Sequence, residues 1–372
     1  MEVFDSGQRG MSSAIYASFG CNTHDLRFVR SLSKQFDELH HLRFDGLSHQ
    51  LTIGNFPNNV TQVEWIGTQS VLTRENIENF LEPVNSILVN LNVDVILAGP
   101  IPSIGYICSR QRLTPVVLLS WAYDLLIDIN DFPDDKERSI EAFRDSAGVI
   151  VDCNTVASIA RQFGMPETQI CVSPWGIELN NFTPGGEKTS DGVFRVLSTR
   201  SLEKIYDVET LVRAASLIRT TSPDFKFEIS IVGDGTEKAR LQELANHLDL
   251  QGYINWFNRV EENKIRALIL KHNLYISTAI SDGSSISMLQ AMACEQLVLV
   301  SNIESNKEWI SDNWNGWLFN VGDASDLSTK ILAIAGHPKP GFIGSNASQQ
   351  VHERANWESN SLLIQSFIHG VS

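Results

Sequence analysis

The residues best suited to chemistry lie in one stretch, Ser281-Asp282-Gly283-Ser284-Ser285-Ile286-Ser287-Met288-Leu289-Gln290. An apolar, β-branched run from Leu274 to Ile280 leads into it, and a second apolar run follows at Leu297 to Ser301. With a helical pattern between them, this reads as strand, tight turn, helix, strand. In such a turn Gly283 lets the backbone approach a ligand and Ser284 or Ser285 caps the helix, while the free N–H groups of the first turn face whatever lies above the strand. A phosphate suits that position. Asp282 and Gln290 are eight residues apart, one in the turn and the other about two helical turns on, so both can face one crevice.

A second strand-to-helix turn stands near the start of the chain. Ser12 to Phe19 reads as a buried strand, and Gly20-Cys21-Asn22-Thr23-His24-Asp25 leads into an amphipathic helix that Asn22, Thr23 or Asp25 could cap. Gly20 and His24 then sit where a parallel α/β sheet opens to its ligand. His24 either takes part in the cap or meets substrate, in which case its titration range suits acid–base or phosphate contacts. His40, His41 and His49 have neither helical ligand spacing nor cysteine company, so no metal site is expected from them. Asp128, Asp131, Asp134 and Asp135 form no D-x-D pair and read as solvated charge ahead of the helix from Lys136 to Ser146.

The D-x7-Q spacing followed by Ala291-Met292-Ala293 resembles the E-x7-E signature of the retaining nucleotide-sugar glycosyltransferases of family 4, also called group 1. The resemblance covers nearly the whole chain, most strongly 194 to 320. It implies that Asp282 contacts hydroxyls of the donor sugar, that Gly283, Ser284, Ser285 and Ile286 hold donor phosphate and sugar through backbone N–H groups, and that Gln290 meets the ribose. Gln290 stands where relatives carry Glu, and an amide accepts only through its oxygen and has no charge. Arg200 and Lys204 resemble the family's Arg and Lys that hold the diphosphate. Aligned through Asp207-Val208-Glu209-Thr210-Leu211, however, the lysine column falls on Tyr206, so Lys204 reaches from two residues away or Tyr206 donates a hydrogen bond instead. A cation opposing charge on the leaving diphosphate is the main electrostatic requirement of this chemistry.

Gly233-Asp234-Gly235 matches the family's G-x-G turn, with Gly233 and Gly235 letting backbone approach the ligand. Phe257, Arg259 and Val260 stand where relatives meet the nucleobase with backbone groups, or else only pack. Ser120-Trp121-Ala122-Tyr123-Asp124 resembles the W-G-S-D variant of the family's H-G-x-D. Trp121 thus replaces a histidine and cannot accept a proton, and Asp124 either binds a hydroxyl or caps the next segment. Gly20, His24, Trp121 and Asp124 are therefore the expected acceptor side.

Positioning these residues requires two α/β domains. The 372 residues exceed one ordinary core, and strand–helix alternation runs twice, interrupted by the Pro- and Gly-rich segment from Ile177 to Gly192. The fold implied is GT-B: two Rossmann-like doubly wound domains facing a cleft, residues 1–185 on the acceptor side and 186–344 on the nucleotide-sugar side. The C-terminal segment 345–372 is expected to cross back to complete the first domain.

Composition narrows the partners. Net charge is −15, about −10 of it in residues 1–185, which is unfavourable for nucleic acid or anionic lipid. The N-terminus lacks the basic and apolar blocks of a signal peptide. Five scattered cysteines read as reduced core thiols. The chain is thus expected to be a cytoplasmic, metal-independent hexosyltransferase without cofactor, taking a nucleoside diphosphate sugar, UDP-linked first among candidates. The acceptor is a hydroxyl compound, soluble in preference to lipid. The competing readings are a non-catalytic sugar-nucleotide-binding homologue or partner subunit, a nucleotide-sugar epimerase, and a coupling enzyme using a pseudo-glycosyl donor.

Overall fold

The computed structural model describes residues 12–45, 56–63, 71–186 and 191–371; His49 lies outside them. The chain divides into two units, residues 1–173 with 361–372, and residues 174–360.

The first unit holds a parallel seven-stranded sheet made of β1 (Ser13–Ser18), β2 (Glu38–Arg43), β3 (Val60–Gln62), β4 (Val95–Ala98), β5 (Val116–Leu119), β6 (Gly148–Val151) and β7 (Ile170–Val172), in the order β3-β2-β1-β4-β5-β6-β7. The second unit is also fully parallel, with β8 (Phe194–Ser198), β9 (Phe227–Val232), β10 (Ile254–Phe257), β11 (Leu274–Ser277), β12 (Leu297–Ser301) and β13 (Trp317–Phe319) in the order β10-β9-β8-β11-β12-β13. Strands covered by helices on both faces read as continuous apolar runs; β4, β5 and β12 are buried at every position. Strand order reverses between β1 and β4 in one sheet and between β8 and β11 in the other, and a crevice opens at the carboxyl ends of such pairs.

The units divide at 173/174, ahead of the 185/186 expected from composition. Ile177 and Phe182 pack into the second core, and Ile177 bridges Asn356, so the Pro-Trp-Gly segment belongs to the second unit. Residues 345–360 also stay there, because the helix Pro340–Arg354 packs on Ile286–Ala293. Only the end of the last helix, Trp357–Val371, completes the first unit: Phe367 packs on Gly148, and the His369 ring stacks on Phe36 at 6.3 Å.

Two local expectations change. The single helix expected from Glu75 to Leu91 is a 3-10 turn, Arg74–Phe80, followed by the helix Leu81–Leu91. Pro83, which has no N–H to donate, sits in the first turn of that helix, where it is tolerated. The acidic segment is not simply solvated. Asp135 is 2% exposed and pairs with Arg74 at 2.8 Å and with Arg138, and Asp128 meets the same Arg74 at 2.8 Å. The five cysteines are buried, with no disulfide among the described residues. Among the described residues no helix is long and apolar enough to cross a membrane.

His41 is wholly enclosed in the first unit, its Nε2 3.0 Å from Ser18 Oγ. Burial lowers its pKa from 6.5 to about 4, so the unfolded chain binds the proton more readily than the folded one between those values. The stability this contributes is complete above pH 6.5 and is lost as pH falls through about 4. Urea unfolding of His41→Gln should therefore show a shallower loss of stability over that window, by about 2–3 kcal/mol relative to the parent. Parallel pH profiles for the two proteins would contradict this.

Candidate functional site

At the β8/β11 switch point the structure brings together Arg200 and Asp282, two residues on the sequence-based candidate list that lie far apart in the chain. Arg200 follows β8 and is 8% exposed. Its Nη2 lies 2.9 Å from an Asp282 carboxylate oxygen. Its Nη1 donates to Ser285 Oγ at 2.7 Å and to Ser287 Oγ at 3.1 Å. Its guanidinium carbon stands 4.1 Å over the centre of the Tyr206 ring, a cation–π arrangement, and Nε is buried with no hydrogen-bond partner among the described residues. Burial pushes the Asp282 carboxyl above the usual range, opposed by the Arg200 charge and by hydrogen bonds from Ser285 and the Gly283 N–H.

The turn after β11 behaves as a strand-to-helix turn, with one difference. Ser285 occupies the N-cap of Ile286–Ala293 but makes no side-chain cap bond, since its hydroxyl is engaged by Arg200. Ser284 instead accepts a hydrogen bond from the Trp309 indole at 3.3 Å. Gly283, Ser284 and Ser285 are buried, Ile286 is partly so, and Gln290 lies buried further along the same helix.

Gly233 and Gly235 are required by the chain's own backbone. A Cβ on Gly233 would stand 2.5 Å from the Arg200 carbonyl oxygen, and one on Gly235 would stand 2.3 Å from that of Leu202. The turn after β9 is thus pressed against the loop that carries Arg200, and Leu202 N–H donates to the Asp234 carbonyl at 2.9 Å. Beside it a cavity of about 320 Å³ is lined by Thr199, Ser201, Gly233, Asp234, Arg259 and Val260, among others. Phe257 is exposed at the end of β10. Lys204 is exposed on a short 3-10 turn and does not line this cavity. Tyr206 presents its ring face to Arg200.

In the first unit, Asn22 caps the helix Thr23–Leu32. Its side chain accepts from His24 N–H at 2.8 Å and Asp25 N–H at 3.2 Å, and Asp25 returns a bond to Asn22 N–H at 2.9 Å. His24 is partly exposed in the first turn of that helix. Four residues on, Phe28 meets Trp121 edge to face at 6.0 Å, linking this helix to the loop after β5. Gly20 faces Asp45, whose carboxylate oxygen would stand 3.1 Å from a Cβ there.

Asp124 is set apart. It is fully buried and accepts from Ser120 Oγ at 2.7 Å, Ile101 N–H at 3.0 Å and Leu125 N–H at 3.2 Å. Burial pushes its pKa up to about 6 against those bonds. It ties the loop after β4 to the loop after β5 and presents no surface to a substrate.

Sequence reading missed Tyr275, Ser287 and the cavity residues Thr199 and Ser201. Ser287 carried the one available signal, a hydroxyl in the first turn of a helix that is otherwise apolar except for Gln290. Among the described residues no three of His, Cys, Asp and Glu converge as a metal-binding group.

Residues 184–346 match the model of the family described as glycosyl transferases group 1. The D-inositol 3-phosphate glycosyltransferase of Pseudarthrobacter chlorophenolicus is 20% identical over 66% of this chain, and the match spans 62% of that relative's length. Sucrose-phosphate synthase from Thermosynechococcus elongatus superposes with a TM-score of 0.83 at 15% identity, covering 96% of this chain and 98% of the other. HepE of Anabaena, solved in complex with UDP, does so with a TM-score of 0.77 at 16% identity over 97% and 100%. At these identities the likeness shows the fold, which is GT-B with two Rossmann-like units.

Removing the Asp124 carboxylate strands the Ile101 N–H and the Ser120 hydroxyl. Asp124→Ala is therefore expected to destabilise the protein by about 2–4 kcal/mol in urea titration. A variant as stable as the parent would contradict this clasp.

Proposed function

We propose, from the match of residues 184–346 to the model of the glycosyl transferases group 1 family, that the protein belongs to that family and transfers a hexose-type sugar from a nucleoside diphosphate to a hydroxyl acceptor with retention at the anomeric carbon. The observation that carries this reading is the buried Arg200 at the β8/β11 switch point, facing Asp282 and the first turn of Ile286–Ala293. A desolvated cation beside the first turn of a helix suits a diphosphate, and the 320 Å³ cavity next to it has the size of a small-ligand pocket. UDP is the first candidate, because HepE was solved with it.

The bond from the anomeric carbon to the diphosphate oxygen breaks as the bond to the acceptor oxygen forms on the same face. The acceptor's proton passes to the departing diphosphate. Arg200 stabilises the charge that develops on that leaving group, an interaction stronger in the transition state than in the ground state. Asp282 accepts from hydroxyls of the sugar, and Gly233 keeps the Arg200 loop in register. His24 and Trp121 belong to the acceptor side, with a soluble acceptor favoured over lipid by the acidic first half. Lys204, exposed and away from the cavity, contributes at most long-range charge. With the neutral Gln290, it also supports a second reading, a homologue that binds sugar nucleotides without turnover.

Thermal stability against UDP, GDP, ADP, dTDP and CDP, with and without their sugars, tests the donor site. One nucleotide is expected to stand clear, with a shift that grows with concentration, and Arg200→Ala should reduce its affinity by about two orders of magnitude. No shift with any of them at millimolar ligand would overturn the reading. Binding with neither transfer to any acceptor nor release of sugar to water would select the non-catalytic homologue.

A further inference from the structure

Hydroxyl groups around Arg200 form a chain whose direction can be deduced from donor counting. Arg200 has only donors to offer, and each hydroxyl carries a single proton. Tyr275 is fully buried on β11 and donates its O–H to Ser287 Oγ at 2.8 Å. Ser287 Oγ also accepts from Arg200 at 3.1 Å, so both its acceptor sites are filled and its own proton must point onward. The neighbouring acceptor is Ser285 Oγ at 3.4 Å, which itself accepts from Arg200 at 2.7 Å. The Ser285 proton in turn faces the Asp282 carboxylate.

We propose that Tyr275, Ser287 and Ser285 are a one-way hydroxyl relay that fixes the Arg200 guanidinium and aims Asp282, so that Ser287 and Tyr275 are positioning residues of the donor site. This rests on the donor-site reading given above. The physical advantage lies in the neutrality of the relay. Two hydroxyls and the Tyr206 ring hold the guanidinium in place without cancelling its charge, as a second carboxylate would. Asp282 is then its only anionic partner among the described residues. With Nη1 anchored by serines and Nη2 facing Asp282, Nε is the donor left without a hydrogen-bond partner among the described residues. The geometry of the cation is thereby set before the ligand arrives, which lowers the ordering cost of binding.

The test compares UDP with uridine by calorimetry, because a device acting through Arg200 affects recognition of the diphosphate and leaves the base and ribose alone. If the panel selects another base, that diphosphate and its nucleoside replace the pair. Ser287→Ala is expected to weaken UDP about tenfold while uridine affinity stays at its parental value. Ser287→Thr, which keeps the hydroxyl, should return UDP affinity to within about twofold. Tyr275→Phe should weaken UDP in the same direction and carries the comparison if Ser287→Ala does not fold. Parental UDP affinity in both variants, equal losses for UDP and uridine, or failure of Ser287→Thr to rescue would overturn the relay while leaving the donor site standing. Failure of the parent protein to bind any nucleoside diphosphate would overturn both.

Discussion

The second unit depends on a guanidinium held out of water. Burying an unpaired cation is prohibitive, so Arg200 has to be surrounded by acceptors in fixed places. One anion, two hydroxyls and an aromatic face meet that demand. They come from two places in the same parallel sheet: Tyr206 from Arg200's own loop after β8, Asp282 and Ser285 from the turn after β11, and Ser287 from the helix that follows that turn. The buried charge is therefore the constraint that sets the loop after β8 relative to the turn and helix after β11.

The glycines serve that constraint. Gly233 and Gly235 let the turn after β9 press against the carbonyls of Arg200 and Leu202, which fixes the backbone from which the guanidinium projects. Backbone approach to a ligand was the expected reason for this G-x-G turn, but contact between two loops of the protein already demands it. The first unit uses another device at its corresponding switch point. There a buried carboxylate, Asp124, clasps the loops after β4 and β5 through three hydrogen bonds, and Asn22 with Asp25 closes the helix after β1 by a reciprocal cap.

Much of the fold was legible in the sequence because parallel strands buried on both faces leave long apolar runs, as at Val95–Ala98 and Leu297–Ser301. The Arg200 and Asp282 candidates were legible because each stands at the end of such a run, where this architecture exposes side chains to ligands. What stayed hidden depends on pairing across distance. Nothing local to Tyr275 or Ser287 announces that they meet, or that both serve a residue on β8. Asp128 and Asp135 read as solvated charge, and only Arg74, arriving from elsewhere in the chain, makes them ion-pair partners. The linker read as a boundary because it is rich in Pro and Gly, yet Ile177 and Phe182 within it are core residues of the second unit.

In this reading Arg200 is the cation that meets the donor diphosphate. The most direct measurement is the Nε–H resonance of Arg200, assigned through its loss in Arg200→Lys, followed by NMR as UDP or the nucleotide selected by the panel is added. The claim predicts a large shift of that one side-chain signal at saturation, absent when the parent nucleoside is added. A resonance unmoved by saturating diphosphate, while backbone signals from the loops after β8 and β9 report binding, would contradict it.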